Sequence, residues 1–234
     1  MPAAFTMNRM REDLWLFGAL LMLGGGPAMA GAITSTLGNA SPGFSSGSIP
    51  AVFPDLVLAQ SGQPAPFDSG IGSDLFGPNA AASWTFNYGA IANPITGAML
   101  TIGIADHDSQ ATGQQVASFT EGGVDLTGDL NTLFEASGGA DGEYDVYQLT
   151  LPSSVFADLA GGSPKFNLEL QGPGLQTSIF DGSVSETDFN GFFLIYSQLD
   201  ITTQDQSTPV PEPSSLALLG AALLGAVGFT RRRL

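Results

Sequence analysis

The clearest pattern along the chain is an alternation of apolar and polar residues, which is typical of β-strands with one buried face. Within 166–170 the apolar residues alternate with Asn167 and Glu169. The segment 191–203 is apolar on both faces, which favours a long strand in the middle of a core. Both segments are therefore predicted to be core strands.

Two further alternating segments, 84–88 and 98–104, flank a turn sequence at 93–97. We predict that they form a hairpin with one buried face. Shorter strands are expected at 55–59, 116–119 and 144–151. Apolar residues at helical spacing predict one short helix over 125–136, and a second short helix is predicted after Pro152.

Many short strands, turn signals about every ten residues and only two helical segments predict an all-β fold. The expected architecture is a single antiparallel β-sandwich, jelly-roll-like, with one or two short helices. We place this domain at residues 31–201 and a polar linker at 202–209. The Gly- and Ser-rich region 31–50 is read only as loop or edge strand.

The last 25 residues combine three features that together resemble a membrane anchor. They are the proline-rich Val210, Pro211, Glu212 and Pro213, an apolar segment at 216–229, and Arg231, Arg232 and Arg233. As a helix the apolar segment rises about 21 Å, so the flanking residues of 214–230 are needed to approach the roughly 30 Å of bilayer hydrocarbon. The arginines resist transfer across the bilayer, and the preceding domain is therefore expected to face outward.

This ending resembles the PEP-CTERM sorting signal of Gram-negative bacteria. The resemblance covers about a tenth of the chain. It implies that an exosortase, an integral-membrane transpeptidase-like enzyme, reads the tail. It also implies that the protein is exported, transiently anchored in the inner membrane, and then found at the cell surface or outside the cell. Carriers of this signal are typical of bacteria that make extracellular polysaccharide.

The N-terminus has the pattern of a secretory signal peptide over residues 1–30. Arg9 and Arg11 precede an apolar run at 14–23, and Ala28 and Ala30 occupy the small-residue positions that signal peptidase requires. We expect cleavage after Ala30. An N-terminal transmembrane anchor is disfavoured because the apolar run has only ten residues.

Removal of both terminal segments leaves a strongly acidic domain. Lys165 is the only Lys or Arg between 31 and 208, against nineteen of the 22 acidic residues of the chain. Such a surface repels nucleic acid and anionic polymers, while divalent cations and neutral glycans remain compatible partners. The chain has no cysteine, so no disulfide stabilises the exported protein.

Two groups of residues are candidates for catalysis or metal binding. His107 is the only histidine and stands between Asp106 and Asp108, but no Gly-x-Ser-x-Gly elbow or zinc-ligand set accompanies it. We therefore predict that the protein is not an enzyme and has no catalytic or cofactor-binding residues. Calcium is the one cofactor for which the sequence offers ligands, namely Asp106, Asp108, Asp141, Glu143 and Asp145, the last three alternating along a backbone expected to be extended. The competing interpretation is a solvated acidic loop, because EF-hand spacing is absent.

Two functions of different class stay open. The first, which we prefer, is a non-catalytic surface or extracellular-matrix protein associated with extracellular polysaccharide. The alternative is a secreted hydrolase or a carbohydrate-binding module acting on that polysaccharide, with two carboxylates in a groove and aromatic platforms for sugars. Five aromatic residues could stack on sugars, although aromatics on strands are more often in the core. They are Trp84, Tyr88, Tyr144, Tyr147 and Tyr196.

Overall fold

The computed structural model describes residues 31–50 and 53–204, and in these ranges the chain forms eleven strands and three short helices. The strands are β1 (Ala32–Gly38), β2 (Gly70–Ile71), β3 (Ala81–Thr85), β4 (Ile95–Ala105), β5 (Val116–Glu121), β6 (Val124–Asp125), β7 (Tyr144–Thr150), β8 (Lys165–Leu170), β9 (Gly174–Thr177), β10 (Val184–Thr187) and β11 (Phe192–Thr203). The helices are α1 (Phe53–Gln60), α2 (Thr127–Ser137) and α3 (Phe156–Gly161), the last preceded by a 3-10 turn at Ser153–Val155.

The strands form two main sheets and one small hairpin. The first sheet has the order β1-β11-β4-β7, with β2 also paired to β11, and the second has the order β3-β8-β5-β6. The hairpin consists of β9 and β10. All of these pairings are antiparallel. The predicted all-β sandwich is thus confirmed.

One hydrophobic core lies between the two main sheets. It joins Leu100 and Ile102 of β4 with Phe166 of β8 and Trp84 of β3, and the last two rings stack with centroids 5.9 Å apart. In β8 the buried residues alternate strictly with exposed ones, as the sequence predicts. Helices α2 and α3 close the core with Leu130, Phe134 and Leu159.

Helix α2 is fixed to the second sheet by a buried side chain. Asn131 exchanges two hydrogen bonds with the backbone of Val116, each 3.0 Å long. The helix ends at Gly138, whose positive φ of 87° suits glycine. The predicted helix over 125–136 is therefore confirmed, displaced by one or two residues.

Helix α1 corrects one prediction, because residues 55–59 form a helix and not a strand. Pro54 and Asp55 lie in its first turn, where proline fits and a carboxylate is favoured by the helix dipole. Leu56, Ala59 and Gln60 are buried at helical spacing, and the Gln60 side chain donates hydrogen bonds to the carbonyls of Ser69 and Leu194. A short apolar run does not by itself distinguish strand from helix.

The predicted hairpin between 84–88 and 98–104 is wrong. Both segments contain strands, but β3 pairs with β8 in the second sheet and β4 pairs with β11 and β7 in the first. The long connection from 86 to 94 carries the chain from one sheet to the other. A turn-like sequence between two strands thus indicates a reversal of the chain and does not identify the pairing partner.

The remaining strand predictions are confirmed at 116–119, 144–151 and 191–203, and the undecided region 31–50 contributes the edge strand β1. Strand β11 includes Thr202 and Thr203, where the predicted linker begins. The predicted signal peptide, residues 205–209 of the linker and the sorting segment lie outside the described residues. Within 31–50 and 53–204, no helix is both long and apolar enough to cross a membrane.

Candidate acidic site

Four segments of the chain meet at one end of the first sheet. Ala105 at the end of β4 pairs with Tyr144 at the start of β7, and Phe193 near the start of β11 pairs with the same Ala105. The neighbouring Phe192 pairs with Ile71, which ends β2. The loops that follow β2 and β4, and the turn that precedes β7, therefore converge.

Each of these connections contributes one aspartate to a group that we call the three-loop cluster. Its members are Asp74, Asp106 and Asp141, which are all half-buried, and one carboxylate oxygen of each lies within 4.8 Å of the others. The three residues are far apart in the sequence and belong to three different connections, so the sequence does not predict that they meet.

Backbone N–H groups orient all three carboxylates. Gly142 donates to Asp106 Oδ1 and Gly191 donates to Asp74 Oδ1, each at 2.7 Å. Thr177 of β9 donates to Asp141 Oδ2. The side chains are thus held in place and are not free to separate in response to their mutual repulsion.

Asp108 lies beside the cluster and is completely buried. Leu175 of β9 donates to its Oδ2 at 2.6 Å, whereas its Oδ1 has no hydrogen-bond partner within the described part of the chain. Asp106 and Asp108 both adopt positive φ angles, 63° and 56°, a conformation that aspartate tolerates better than most residues. This backbone turns the chain sharply as it leaves β4.

Burial and mutual repulsion raise the pKa values of these carboxyl groups. Burial comes first and the charge of Asp74 second in raising the pKa of Asp106 to about 7. Burial, followed by the charge of Asp106, raises the pKa of Asp108 to about 9. The pKa of Asp74 is also raised, mainly by burial, with a further contribution from the charge of Asp141.

The structure brings together only part of the residue set that the sequence suggests for calcium. Asp106 and Asp141 meet, Asp108 lies outside the 4.8 Å group, and Asp74 is an additional member that the sequence reasoning missed. Nothing in the turn-dense region 60–78 could have singled out Asp74, because its proximity depends on the pairing of β2 with β11.

Glu143 and Asp145 lie outside the cluster. The Glu143 carboxylate accepts the N–H of Ala140 within its own turn, and Asp145 accepts a hydrogen bond from Gly47. The expected extended backbone does not hold over 141–143, since Gly142 has a φ of 72° and β7 begins only at Tyr144. The alternation argument for these three acids was therefore wrong in its premise.

His107 is a buried core residue. Its ring stacks on Phe134 at a centroid distance of 4.4 Å, and its Nε2 lies 2.8 Å from the Tyr147 hydroxyl and 3.4 Å from Asp145 Oδ2. Ser109 is also buried nearby, but its hydroxyl donates to the carbonyls of Phe134 and Gly138. The serine, histidine and aspartate are thus enclosed within the protein.

The aromatic residues considered as sugar platforms are mostly core residues. Trp84, Tyr144, Tyr147 and Tyr196 are buried. Tyr88 is half-buried, and its hydroxyl donates to the carbonyl of Leu159 at 2.7 Å. These five rings do not form an exposed row beside carboxylates.

A second acidic group, which we call the carboxyl pair, consists of Glu121 at the end of β5 and Asp158 in α3. Glu121 is fully buried, and neither of its oxygens accepts a hydrogen bond from a described N–H or O–H group. Burial, followed by a hydrogen bond to Asp158 and the charge of Asp158, raises the pKa of Glu121 to about 8. The neutral form of Glu121 is thus favoured up to a higher pH than that of an ordinary glutamate.

The described residues thus form an acidic β-sandwich in which His107 and Ser109 are buried. The chain carries the PEP-CTERM protein-sorting motif at residues 209–233. The protein is accordingly a cargo that is exported and sorted through its C-terminal tail. A search of curated proteins found no match to this chain.

Proposed function

We propose that this protein is a non-catalytic component of the cell surface or extracellular matrix that associates with extracellular polysaccharide. The observation that carries the proposal is the sorting motif at 209–233, which follows directly on a folded acidic β-sandwich. Signal peptidase removes residues 1–30 after Ala30. The segment 214–230 then holds the protein in the inner membrane until an exosortase-type enzyme processes the tail near Pro211–Pro213.

The burial of the reactive side chains supports a non-catalytic role. His107 has no exposed surface, and the Ser109 hydroxyl is committed to backbone carbonyls. A side chain added at Gly139 would collide with both the His107 ring and the Ser109 hydroxyl, so the backbone itself is packed against this group. A polymeric substrate could reach these atoms only if the core opened.

The charge distribution favours neutral over anionic polysaccharide. Lys165 is the only Lys or Arg among the described residues, so acidic polymers would meet repulsion with almost no compensating contact. Neutral sugars are recognised by hydrogen bonds and by apolar surfaces, which this acidic domain can supply.

Intact-mass spectrometry of the exported protein tests the sorting part of the proposal. We expect a product that begins near Gly31 and has lost Arg231, Arg232 and Arg233. The variant that combines Pro211→Ala with Pro213→Ala should keep the tail, because it removes the two prolines of the motif that the sorting enzyme is proposed to read. The matched control combines Ser207→Ala with Thr208→Ala, just before the motif, and should be processed normally. Retention of the arginines in the unaltered protein, in a host that sorts such tails, would leave only a plain membrane anchor.

A polysaccharide assay tests the role of the domain. Incubated with neutral and with acidic polysaccharides, the protein should release no new reducing ends, and it should cosediment with the neutral polymer only. Turnover that disappears after Glu121→Gln or Asp106→Asn would establish the hydrolase alternative instead. Absence of cosedimentation with either polymer would remove the polysaccharide association.

A further inference from the structure

We propose that the three-loop cluster binds one Ca²⁺ ion, with Asp74, Asp106 and Asp141 as ligands and the buried Asp108 carboxylate next to this site. This inference is independent of the proposed function, because it concerns the described domain and not the sorting tail. It rests on the separation of the carboxylates, on the lack of a positive partner, and on the unsatisfied oxygen of Asp108.

The separation of the three carboxylates suits a single calcium ion. Calcium binds oxygen at 2.3–2.6 Å, so two oxygens that share one ion lie at most about 5 Å apart. The three oxygens of the cluster lie within 4.8 Å of one another. Because backbone N–H groups from Gly142, Gly191 and Thr177 already hold the side chains, little rearrangement is needed when an ion enters.

No positively charged side chain is available to compensate the cluster within the described residues. Lys165 is exposed on β8 in the second sheet, and His107 is engaged with Tyr147 and Asp145. Carboxylates fixed at this separation repel one another strongly, and burial weakens the screening by water. A bound cation would convert this repulsion into attraction.

Asp108 supplies the second and independent observation. Leu175 and Thr177 lie two residues apart on β9, and their N–H groups bind Asp108 and Asp141 respectively, so both carboxylates lie along the same side of that strand. The negative charges of Asp106, Asp74 and Asp141 all act on Asp108. Its unpartnered Oδ1 is therefore a fully buried acceptor beside the cluster, and native proteins rarely leave such an atom unsatisfied. A water molecule bound to the calcium ion would provide the missing partner.

There is also room for the remaining ligands. A pocket of about 220 Å³ lies between β2 and the start of β11, and Asp74 and Asp106 are part of its lining. Calcium requires six to eight oxygen ligands, and water commonly completes the set. The half-buried position of the cluster gives both the ion and this water access.

The test uses the full-length chain in a mild non-ionic detergent, freed of metal with EDTA and dialysed. Calorimetric titration with CaCl₂ should give one ion per chain. Melting in CaCl₂, at free Ca²⁺ about a hundredfold above the dissociation constant, should raise the midpoint by about 5 to 11 °C over NaCl at matched ionic strength. Equal midpoints in calcium and sodium would overturn the proposal, because screening alone does not distinguish the two salts.

Variants locate the ion. The change of Asp106 and Asp141 to Asn keeps the size of both side chains and an oxygen that can accept the Gly142 and Thr177 N–H groups, and Asn also tolerates the positive φ at 106. This variant should bind calcium at least tenfold more weakly and lose the shift in midpoint. The matched control combines Asp129→Asn with Glu169→Gln, two exposed acids, and should respond like the unaltered protein.

The single change Asp74→Asn is a second variant that distinguishes this site from one built on Asp106, Asp108, Asp141, Glu143 and Asp145. It should also weaken calcium binding at least tenfold, and it stays informative if the double variant does not fold. A full calcium response in Asp74→Asn would overturn the assignment to the three-loop cluster.

Discussion

The three-loop cluster and the carboxyl pair place acidic groups close together in two different ways. The cluster is half-buried, draws its members from three connections, and receives a backbone hydrogen bond on each carboxylate. The carboxyl pair has two members, and Glu121 is fully buried and has no backbone or hydroxyl donor among the described residues. A proton relieves the repulsion at either group, and the difference is that the cluster also has the geometry that we propose for a cation.

The environment of each group explains this division. Two unit charges 4.8 Å apart repel by about 3 kcal/mol at an effective dielectric constant near 20. At the cluster, donated N–H groups stabilise ionised carboxylates and solvent access admits an ion. At the pair no described N–H group binds Glu121, and burial followed by the hydrogen bond to Asp158 raises its pKa. The pKa values are raised at both groups, so the stability of each falls as the pH rises, but only the cluster is expected to respond to metal.

The largest expected effect on stability is that of Glu121→Gln, which should change how the free energy of unfolding depends on pH. Glutamine resembles a protonated glutamate in shape and can donate to Asp158, so it should preserve the folded state. In the unaltered protein the pKa of Glu121 is about 8, above its ordinary value of 4.5, so the stability that depends on its proton is complete below pH 4.5 and is lost as the pH rises through 8. For each pH unit between 4.5 and 8, we expect the free energy of unfolding of the variant to rise by on the order of 1 kcal/mol relative to that of the unaltered protein.

Chemical denaturation between pH 5 and 9, in EDTA, measures this difference. The exposed acid Asp129 offers a matched control, since Asp129→Asn should leave the pH dependence within about 0.5 kcal/mol of that of the unaltered protein. A parallel pH dependence in Glu121→Gln and the unaltered protein would mean that Glu121 does not hold a proton in the folded state.

A smaller effect is expected from Asp106→Asn at the cluster in the absence of calcium. Removal of one charge relieves the repulsion with Asp74 and Asp141. The free energy of unfolding of the metal-free variant should therefore rise by about 1 kcal/mol at pH 8, which raises its melting temperature by about 2 to 4 °C. Differential scanning calorimetry in EDTA measures this shift, and 0.5 M NaCl should reduce it. A lower midpoint than that of the unaltered protein would show that the Asp106 carboxylate is stabilising without an ion.

Most of the fold could be predicted from the sequence because the periodicity of a strand is a local signal. The alternation in 166–170 and the length of 191–203 identify β8 and β11. Pairing is not local, and so the hairpin predicted between 84–88 and 98–104 was wrong. The short run at 55–59 carried no clear period, and only the packing of Leu56 and Ala59 against Tyr196 and its neighbours favours a helix there.

The candidate site could be predicted only in part from the sequence, because it too depends on strand pairing that is not local. Asp106 and Asp108 stand out because they follow a predicted strand, and Asp141 because it lies in an acid-rich segment. Asp74 lies near them only because β2 pairs with β11, and no local sequence pattern predicts this pairing. The sorting motif, in contrast, is contiguous over 209–233 and was therefore recognisable from the sequence.

The scarcity of positive charge has a further consequence, for resistance to proteases. Enzymes of trypsin type cut after lysine or arginine, and between 31 and 204 Lys165 is the only such residue. It pairs with Thr85 on β3, and the next residue, Phe166, pairs with both β3 and β5. The single susceptible bond is thus held inside a hydrogen-bonded ladder, where a protease cannot draw it into an extended conformation. An exported domain of this composition is protected from a whole class of digestive enzymes.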